Sequence, residues 1–136
     1  MYDWLLFLHV LSAFALGATV VMLSALALGA TSSRRVFTVA DVLWNVGGLG
    51  TLVLGIWLAI YLDAYQVWDG WILAAIALWA IATELGRRAR QDLEPAVTAG
   101  EGDAAVAPAQ GAALMHWLRA AAVLALLVLM IWKPGA

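Results

Sequence analysis

Two histidines are the side chains of this sequence that are best suited to chemistry near neutral pH. His9 lies in a long apolar stretch without fixed charge between Asp3 and Arg34, and His116 lies near the start of another apolar stretch. An imidazole within a membrane helix is costly unless it has a partner. His9 therefore has three interpretations: a hydrogen bond to a backbone carbonyl or a serine of a neighbouring helix, an axial bond to a haem iron, or a proton relay.

The two histidines are expected to lie at different depths in a membrane. Each is close to the start of its own helix, and the first and fourth helices of an up-and-down bundle run in opposite directions. At about 1.5 Å of rise per residue, their depths differ by roughly 15 Å. The two axial nitrogens of one haem lie much closer together than this. A haem b held by one copy of the chain would therefore use His9 alone, with a second ligand of another type or from a second copy.

A group of five polar residues is predicted toward the cytoplasmic ends of the helices. Asp41 and Asn45 are one helical turn apart. His116 and Arg119 are three residues apart, so each pair shares a helix face. The fifth member is Glu84. One interpretation is a set of interfacial contacts that fixes the register of the helices, and the alternative is an entry site for protons or ions, because ionisable residues at membrane depth often mark pathways.

The composition excludes several classes of protein. Of the 136 residues, 65% are hydrophobic and 12% are charged, whereas a soluble domain carries about 45–50% apolar and about 25% charged residues. The absence of cysteine excludes a disulfide framework, an iron–sulfur cluster and a thiol nucleophile. A net charge of −2 argues against nucleic-acid binding. The composition therefore predicts an integral membrane protein. The sequence has no Glu-x-x-His motif, P-loop or nucleotide fingerprint, so it gives no indication of a dedicated metal site or a nucleotide site.

The elements that must position these side chains are four apolar stretches, each near the length of about 20 residues that crosses the hydrocarbon. They predict an all-α fold, an integral membrane four-helix up-and-down bundle that forms a single transmembrane domain over 1–136. The helices are expected at about 4–30, 41–62, 70–87 and 114–132. The segment at about 91–113 is rich in Ala, Gly and Pro and is predicted to be a mobile cytoplasmic loop.

The arginines predict the orientation of the bundle. They follow the first helix as Arg34 and Arg35 and the third helix as Arg87, Arg88 and Arg90. The positive-inside rule therefore places these connections in the cytoplasm and both termini outside the plasma membrane. An aromatic belt is expected at the outer interface, formed by Trp4, Trp68, Trp71 and Trp132.

Small residues recur at helical spacing in the first two helices. Gly47, Thr51 and Gly55 follow one another every four positions, and Ala13 and Gly17 do the same. Such stripes let helix backbones approach closely in a bilayer, so they predict close packing within the bundle. The alternatives are a contact between two copies of the chain and a groove that admits a flat cofactor.

Three segments carry a resemblance to a known family: WLLFLHVLSAFALGATVVML, GGLGTLVLGIWLAI followed by DGWILAAIALWAI, and LVLMIWKPG. They resemble a bacterial family of predicted four-helix integral membrane proteins of unknown function. That family in turn resembles the membrane domain of CopD-type copper-resistance proteins and the HemJ-type protoporphyrinogen oxidases. The most specific pieces are Leu8–His9–Val10 and Lys133–Pro134.

The resemblance implies a haem-ligating role for His9 but supports neither oxidase activity nor copper handling. In the HemJ-type relatives the first-helix histidine is taken to be a haem ligand, and His9 occupies the matching place. The chain lacks the additional histidine and lysine that those enzymes carry in their middle helices, so the oxidase activity is not carried over. Copper handling has no support either, because the methionines are scattered and cysteine is absent.

Three functions are compatible with this sequence. The first is a non-enzymatic packing, assembly or accessory protein, which forms a homodimer or joins a larger membrane complex through the small-residue face. The second is a haem-associated redox or haem-handling protein that uses His9. The third is a small transporter or ion-conducting subunit that uses the five polar residues. The lipid bilayer is a partner in every case, and nucleic acid in none.

Overall fold

The computed structural model is an all-helical bundle. It describes residues 1–28, 34–62, 65–99 and 110–133, and none of these residues forms a strand. The four helices are α1 (Tyr2–Ala27), α2 (Arg34–Tyr61), α3 (Gly70–Ala99) and α4 (Gln110–Trp132). The prediction of an all-α four-helix bundle is confirmed.

All four helices contain a stretch that is long and apolar enough to cross a membrane. The helical segments that contain these stretches are Tyr2–Ala27, Arg34–Tyr61, Gly70–Asp92 and Ala113–Trp132. Large apolar side chains point away from the bundle, and Phe14 and Ile131 are 73% and 78% exposed. A soluble monomer rarely exposes such a continuous apolar surface. The helices and this surface together indicate a multi-pass membrane protein.

The bundle is made of two helical hairpins. α1 packs closely along α2, and α3 packs closely along α4, whereas the contacts of α1 with α4 and of α2 with α3 are fewer. A small core joins the hairpins, with one residue from each helix: Leu16, Trp44, Ala82 and Val123. Since successive helices run in opposite directions, the bundle has two distinct ends. We call them the arginine end, marked by Arg34, Arg87 and Arg90, and the tryptophan end, marked by Trp68 and Trp132.

Close packing of α1 on α2 depends on glycines of α2. A Cβ atom added to Gly47 would lie 2.9 Å from the backbone nitrogen of Leu16 and 2.9 Å from the backbone oxygen of Ser12. A Cβ atom added to Gly50 would lie 2.6 Å from the hydroxyl of Ser12. The small-residue face of α2 is therefore covered by α1 of the same chain, and a homodimer would have to use another surface. Gly17 on α1 has no such role, because a Cβ atom there meets nothing within 4 Å.

The helices extend beyond the apolar stretches at the arginine end. α2 begins at Arg34 rather than at about 41, and α3 continues to Ala99 rather than ending at about 87. α4 begins at Gln110, so most of the predicted loop at 91–113 is helical and residues 100–109 lie outside the described residues. The added residues include Arg, Gln, Leu, Glu and Ala, which favour helix whether or not lipid surrounds them, although α3 also continues through Pro95, which does not. The end of an apolar stretch therefore does not mark the end of the helix.

Candidate functional site

A cavity of about 240 Å³ lies between the two hairpins in the half of the bundle toward the tryptophan end. All four helices contribute to its walls, which are mostly aliphatic and aromatic. The lining contains few polar side chains, and they include His9, Thr51, Tyr65, Trp71, Trp79 and Lys133. Apolar walls with a small number of polar groups are typical of sites that bind small molecules.

His9 lies on the α1 wall of this cavity against a glycine of α2. A Cβ atom added to Gly55 would lie 3.0 Å from Cε1 and 3.4 Å from Nδ1 of the imidazole. The ring also lies beside the backbone of Thr51. Nδ1 is buried and has no hydrogen-bond partner within the protein. The glycine at position 55 therefore makes room for the ring, whose buried Nδ1 lies against α2.

Two further unpaired polar atoms lie at the inner end of the cavity. Thr51 is only 3% exposed, and its Oγ1 has no hydrogen-bond partner. The indole Nε1 of Trp79 is also buried without a partner. Trp79 fits here because the residue opposite is Gly48, whose added Cβ atom would lie 3.1 Å from that nitrogen. Buried polar groups without partners are uncommon in native proteins, and each one calls for an explanation such as water or a ligand.

The mouth of the cavity, at the tryptophan end, is formed by a lysine and two aromatic residues. The Nζ atom of Lys133 lies 4.8 Å from the ring centroid of Tyr65 and 5.7 Å from that of Trp71. It also lies 3.4 Å from the Tyr65 hydroxyl oxygen, to which it donates. The Nε1 of Trp71 is buried and unpaired. Lysine, tyrosine and tryptophan thus bring hydrogen-bond donors to one place.

At the arginine end, His116 is held by a serine of α1. Its Nε2 lies 2.9 Å from Oγ of Ser24, while the same hydroxyl lies 2.7 Å from the backbone oxygen of Val20. Because a serine hydroxyl has a single hydrogen, donation to Val20 assigns the proton of the other bond to His116 Nε2. A serine partner was one interpretation for His9, and the structure places such a partner at His116.

Arg119 of α4 is enclosed between α2 and α3. Its guanidinium carbon lies 3.5 Å from the ring centroid of Trp44 on α2. On the other side it lies against α3, where a Cβ atom added to Gly86 would be 2.8 Å from that carbon. The side chain is 7% exposed, and its Nε has no hydrogen-bond partner. This cation is therefore stabilised in large part by an aromatic face.

The remaining members of the polar group have separate partners. Asp41 accepts a hydrogen bond of 2.7 Å from Arg90, which joins α2 to α3. Asn45 donates to the backbone oxygen of Asp41 at 2.8 Å. Glu84 pairs with Arg87 and Arg88 on its own helix at 2.7 and 2.8 Å, in exposed positions. The structure thus connects Asp41 with Asn45 but does not join the five residues into one cluster.

The residues that line the cavity were largely missed by sequence reasoning. His9, Thr51 and Gly55 are brought together as neighbours, but Trp71 was expected only in an aromatic belt and Trp79 was not singled out. A signal was present, since Trp71, Ala75 and Trp79 recur every four positions and place a small residue between two large ones. Such spacing puts all three on one face of α3. Lys133, the only lysine of the sequence, was not predicted to belong to a site.

Comparisons with known proteins give no relative from which the role of this site could be inferred. No family model, no curated protein and no solved structure matches the chain. The described residues contain no group of three or more His, Cys, Asp or Glu side chains that could hold a metal ion.

The fit of a haem to this cavity can be judged from its volume and from His9. One unpaired imidazole nitrogen suits an axial ligand. The cavity of about 240 Å³ is, however, smaller than the range of about 300–1,000 Å³ that encloses drug-sized ligands, and a haem is larger than most of those. The imidazole also packs edge-on against α2 rather than facing a flat open space. The cavity does not fit a haem without separation of the hairpins.

Proposed function

We propose that this chain is a non-enzymatic accessory membrane protein that takes a small apolar molecule into the cavity between its two hairpins. The observation that carries the proposal is the cavity itself, a space of about 240 Å³ whose walls are mostly aliphatic and aromatic and whose lining includes Tyr65 and Lys133. Apolar walls with a few polar groups suit a small molecule that is mostly apolar and carries one polar group.

The shape of the bundle supports the same proposal. Empty space next to packed side chains forfeits dispersion contacts, and the wall atoms regain them when an apolar molecule enters. The helices surround the cavity with side chains that face lipid on their outer sides, so an apolar ligand has a source close by. Binding suits this lining better than catalysis, because the unpaired atoms of Thr51, His9 and Trp71 are spread along the cavity.

Native mass spectrometry of the purified protein tests the proposal. We expect the wild-type chain to retain one small molecule when it is released from mild detergent. Ala75 is buried in the cavity wall, so Ala75→Leu is expected to fill part of the cavity and to remove the bound molecule. Ala80→Leu is the matched control, because Ala80 lies on the exposed face of the same helix.

Two results would contradict the proposal. One is a wild-type protein with no bound molecule, and the other is equal retention by Ala75→Leu and wild type. A red protein with a Soret band that disappears in His9→Ala would instead establish the haem-handling function. For transport through the arginine end we find no comparable support, since Asp41 and Glu84 are each paired with arginine.

A further inference from the structure

We infer that the ligand of this cavity is a single-chain carboxylic acid, with its chain between the hairpins and its carboxylate at Lys133. The inference rests on the proposed function and adds the chemical class of the ligand. Its three grounds are the shape of the cavity, the donors at its mouth and the backbone of Lys133.

The cavity is elongated along the bundle. Its lining on α2 extends from Leu62 to Thr51, which corresponds to about 16 Å at about 1.5 Å per residue. A volume of about 240 Å³ over that length favours one unbranched chain, such as a dodecanoyl chain, over a bulkier molecule.

The mouth of the cavity is complementary to an anion. The ammonium of Lys133 donates to the oxygen of Tyr65, which leaves the hydroxyl hydrogen of Tyr65 free to donate. The Trp71 ring lies 5.7 Å from the ammonium and completes this part of the lining. No carboxylate of the described residues lies within ion-pair distance of Lys133. A carboxylate has two oxygens that accept several hydrogen bonds, so one such group would satisfy these donors and the cation together.

The backbone of Lys133 shows that the side chain is kept at a cost. Its φ angle is +39°, and Lys133 is the only non-glycine residue with positive φ in the described chain. Glycine is the usual residue at this position after a helix, because a side chain is disfavoured there by roughly 1–2 kcal/mol. The left-handed turn, closed by a bond of 2.9 Å from the Lys133 nitrogen to the Leu129 oxygen, places the side chain over Tyr65 and Trp71. Lysine at this position therefore combines an unfavourable backbone with a side chain that contacts the cavity lining.

Dodecanoic acid and its methyl ester test the inference as two probes that differ in charge. Each is titrated into the detergent-purified protein, and bound adducts are counted by native mass spectrometry. We expect the wild type to bind the acid at a concentration at least tenfold lower than the ester. Lys133→Gly is expected to lose that preference and to bind the ester as the wild type does, while Lys133→Arg keeps the preference. Glycine accepts the left-handed backbone, so the variant is not expected to unfold.

The outcomes separate the inference from the proposed function. Equal binding of acid and ester by wild type, or an acid preference that survives in Lys133→Gly, overturns the carboxylate inference and leaves the cavity as a binding site. Co-purification of lipids with two chains also overturns it. If neither probe binds and Ala75→Leu changes nothing, the proposed function fails together with the inference.

Discussion

Polar side chains inside this bundle fall into two groups at the level of single residues. Ser24 and His116 satisfy each other across α1 and α4, with Nε2 and Oγ 2.9 Å apart. His9 and Thr51 are close to each other as well, yet each retains an atom without a partner, and both line the cavity. A satisfied pair favours one arrangement of the helices. The unpaired atoms of His9 and Thr51 provide no such constraint beside the cavity.

Replacement of Ser24 tests whether its hydrogen bond with His116 stabilises the bundle. Ser24→Ala removes the acceptor of the His116 Nε2–H and leaves that group unpaired. We expect a loss of about 0.6 kcal/mol, and at most about 1.7 kcal/mol, in the free energy of unfolding, the average and the maximum for hydrogen bonds between membrane helices. Thr38→Ala is the control, because its hydroxyl bonds to the backbone oxygen of Arg34 on its own helix in an exposed position. Unfolding in mixed micelles measures both changes, and equal losses would show that the Ser24–His116 bond adds nothing.

Sequence reasoning could select His9 but not its surroundings. A titratable side chain in a stretch without charge is visible in the sequence alone. Its contact with Gly55, by contrast, depends on how α1 slides and rotates against α2. The same holds for Arg119, whose neighbours Trp44 and Gly86 come from two other helices. Pairs at a spacing of three or four were correctly placed on one face, but the partner across a helix interface is not encoded in such spacing.

The helix pair α1–α2 is the most tightly fitted element. The two backbones come close together at Gly47, because the two atoms nearest to its added Cβ atom belong to the backbone of α1 and cannot rotate away. At Gly50 the neighbour is the hydroxyl of Ser12, which has more freedom. Close approach of this kind increases van der Waals contact between helices in lipid, where no hydrophobic force drives association. The stripe of small residues therefore acts inside the chain.

Gly47→Ala tests this packing. The added methyl group would lie 2.9 Å from two backbone atoms, so the helices must move apart. We expect a loss of about 1–3 kcal/mol in the free energy of unfolding. Gly17→Ala is the matched control on α1, because nothing lies within 4 Å of its added Cβ atom. A higher helix propensity makes that variant as stable as wild type or more so. If Gly47→Ala is equally stable in mixed micelles, the close contact does not exist in solution.

The number and approximate position of the helices could be predicted because membrane crossing depends on local composition. Each apolar stretch is read without knowledge of the others. The ends could not be predicted in this way, since α3 continues from Arg90 to Ala99 through a segment in which Leu93 and Glu94 favour helix and Pro95 does not. The cavity depends on the gap between hairpins, which is a property of tertiary packing alone.

The molecule as a whole combines two tightly packed hairpins with a looser interface between them. Near the arginine end this interface is closed by Arg119 between Trp44 and Gly86, and by the ion pair of Asp41 with Arg90. Toward the tryptophan end it widens into the cavity, whose lining includes Lys133. A ligand is therefore expected to enter from the tryptophan end or from the lipid beside it, and the side of the membrane that this end faces becomes a question of function.

Single cysteines can establish that side, because the natural chain contains none. Gly70→Cys places a thiol at the tryptophan end, where an added Cβ atom meets nothing within 4 Å. Gln91→Cys places one at an exposed position just beyond the arginines of α3. The positive-inside rule predicts that a membrane-impermeant maleimide labels Gly70→Cys in intact cells and labels Gln91→Cys only after permeabilisation. The reverse pattern would place the mouth of the cavity toward the cytoplasm, so the carboxylic acid would then have to come from inside the cell.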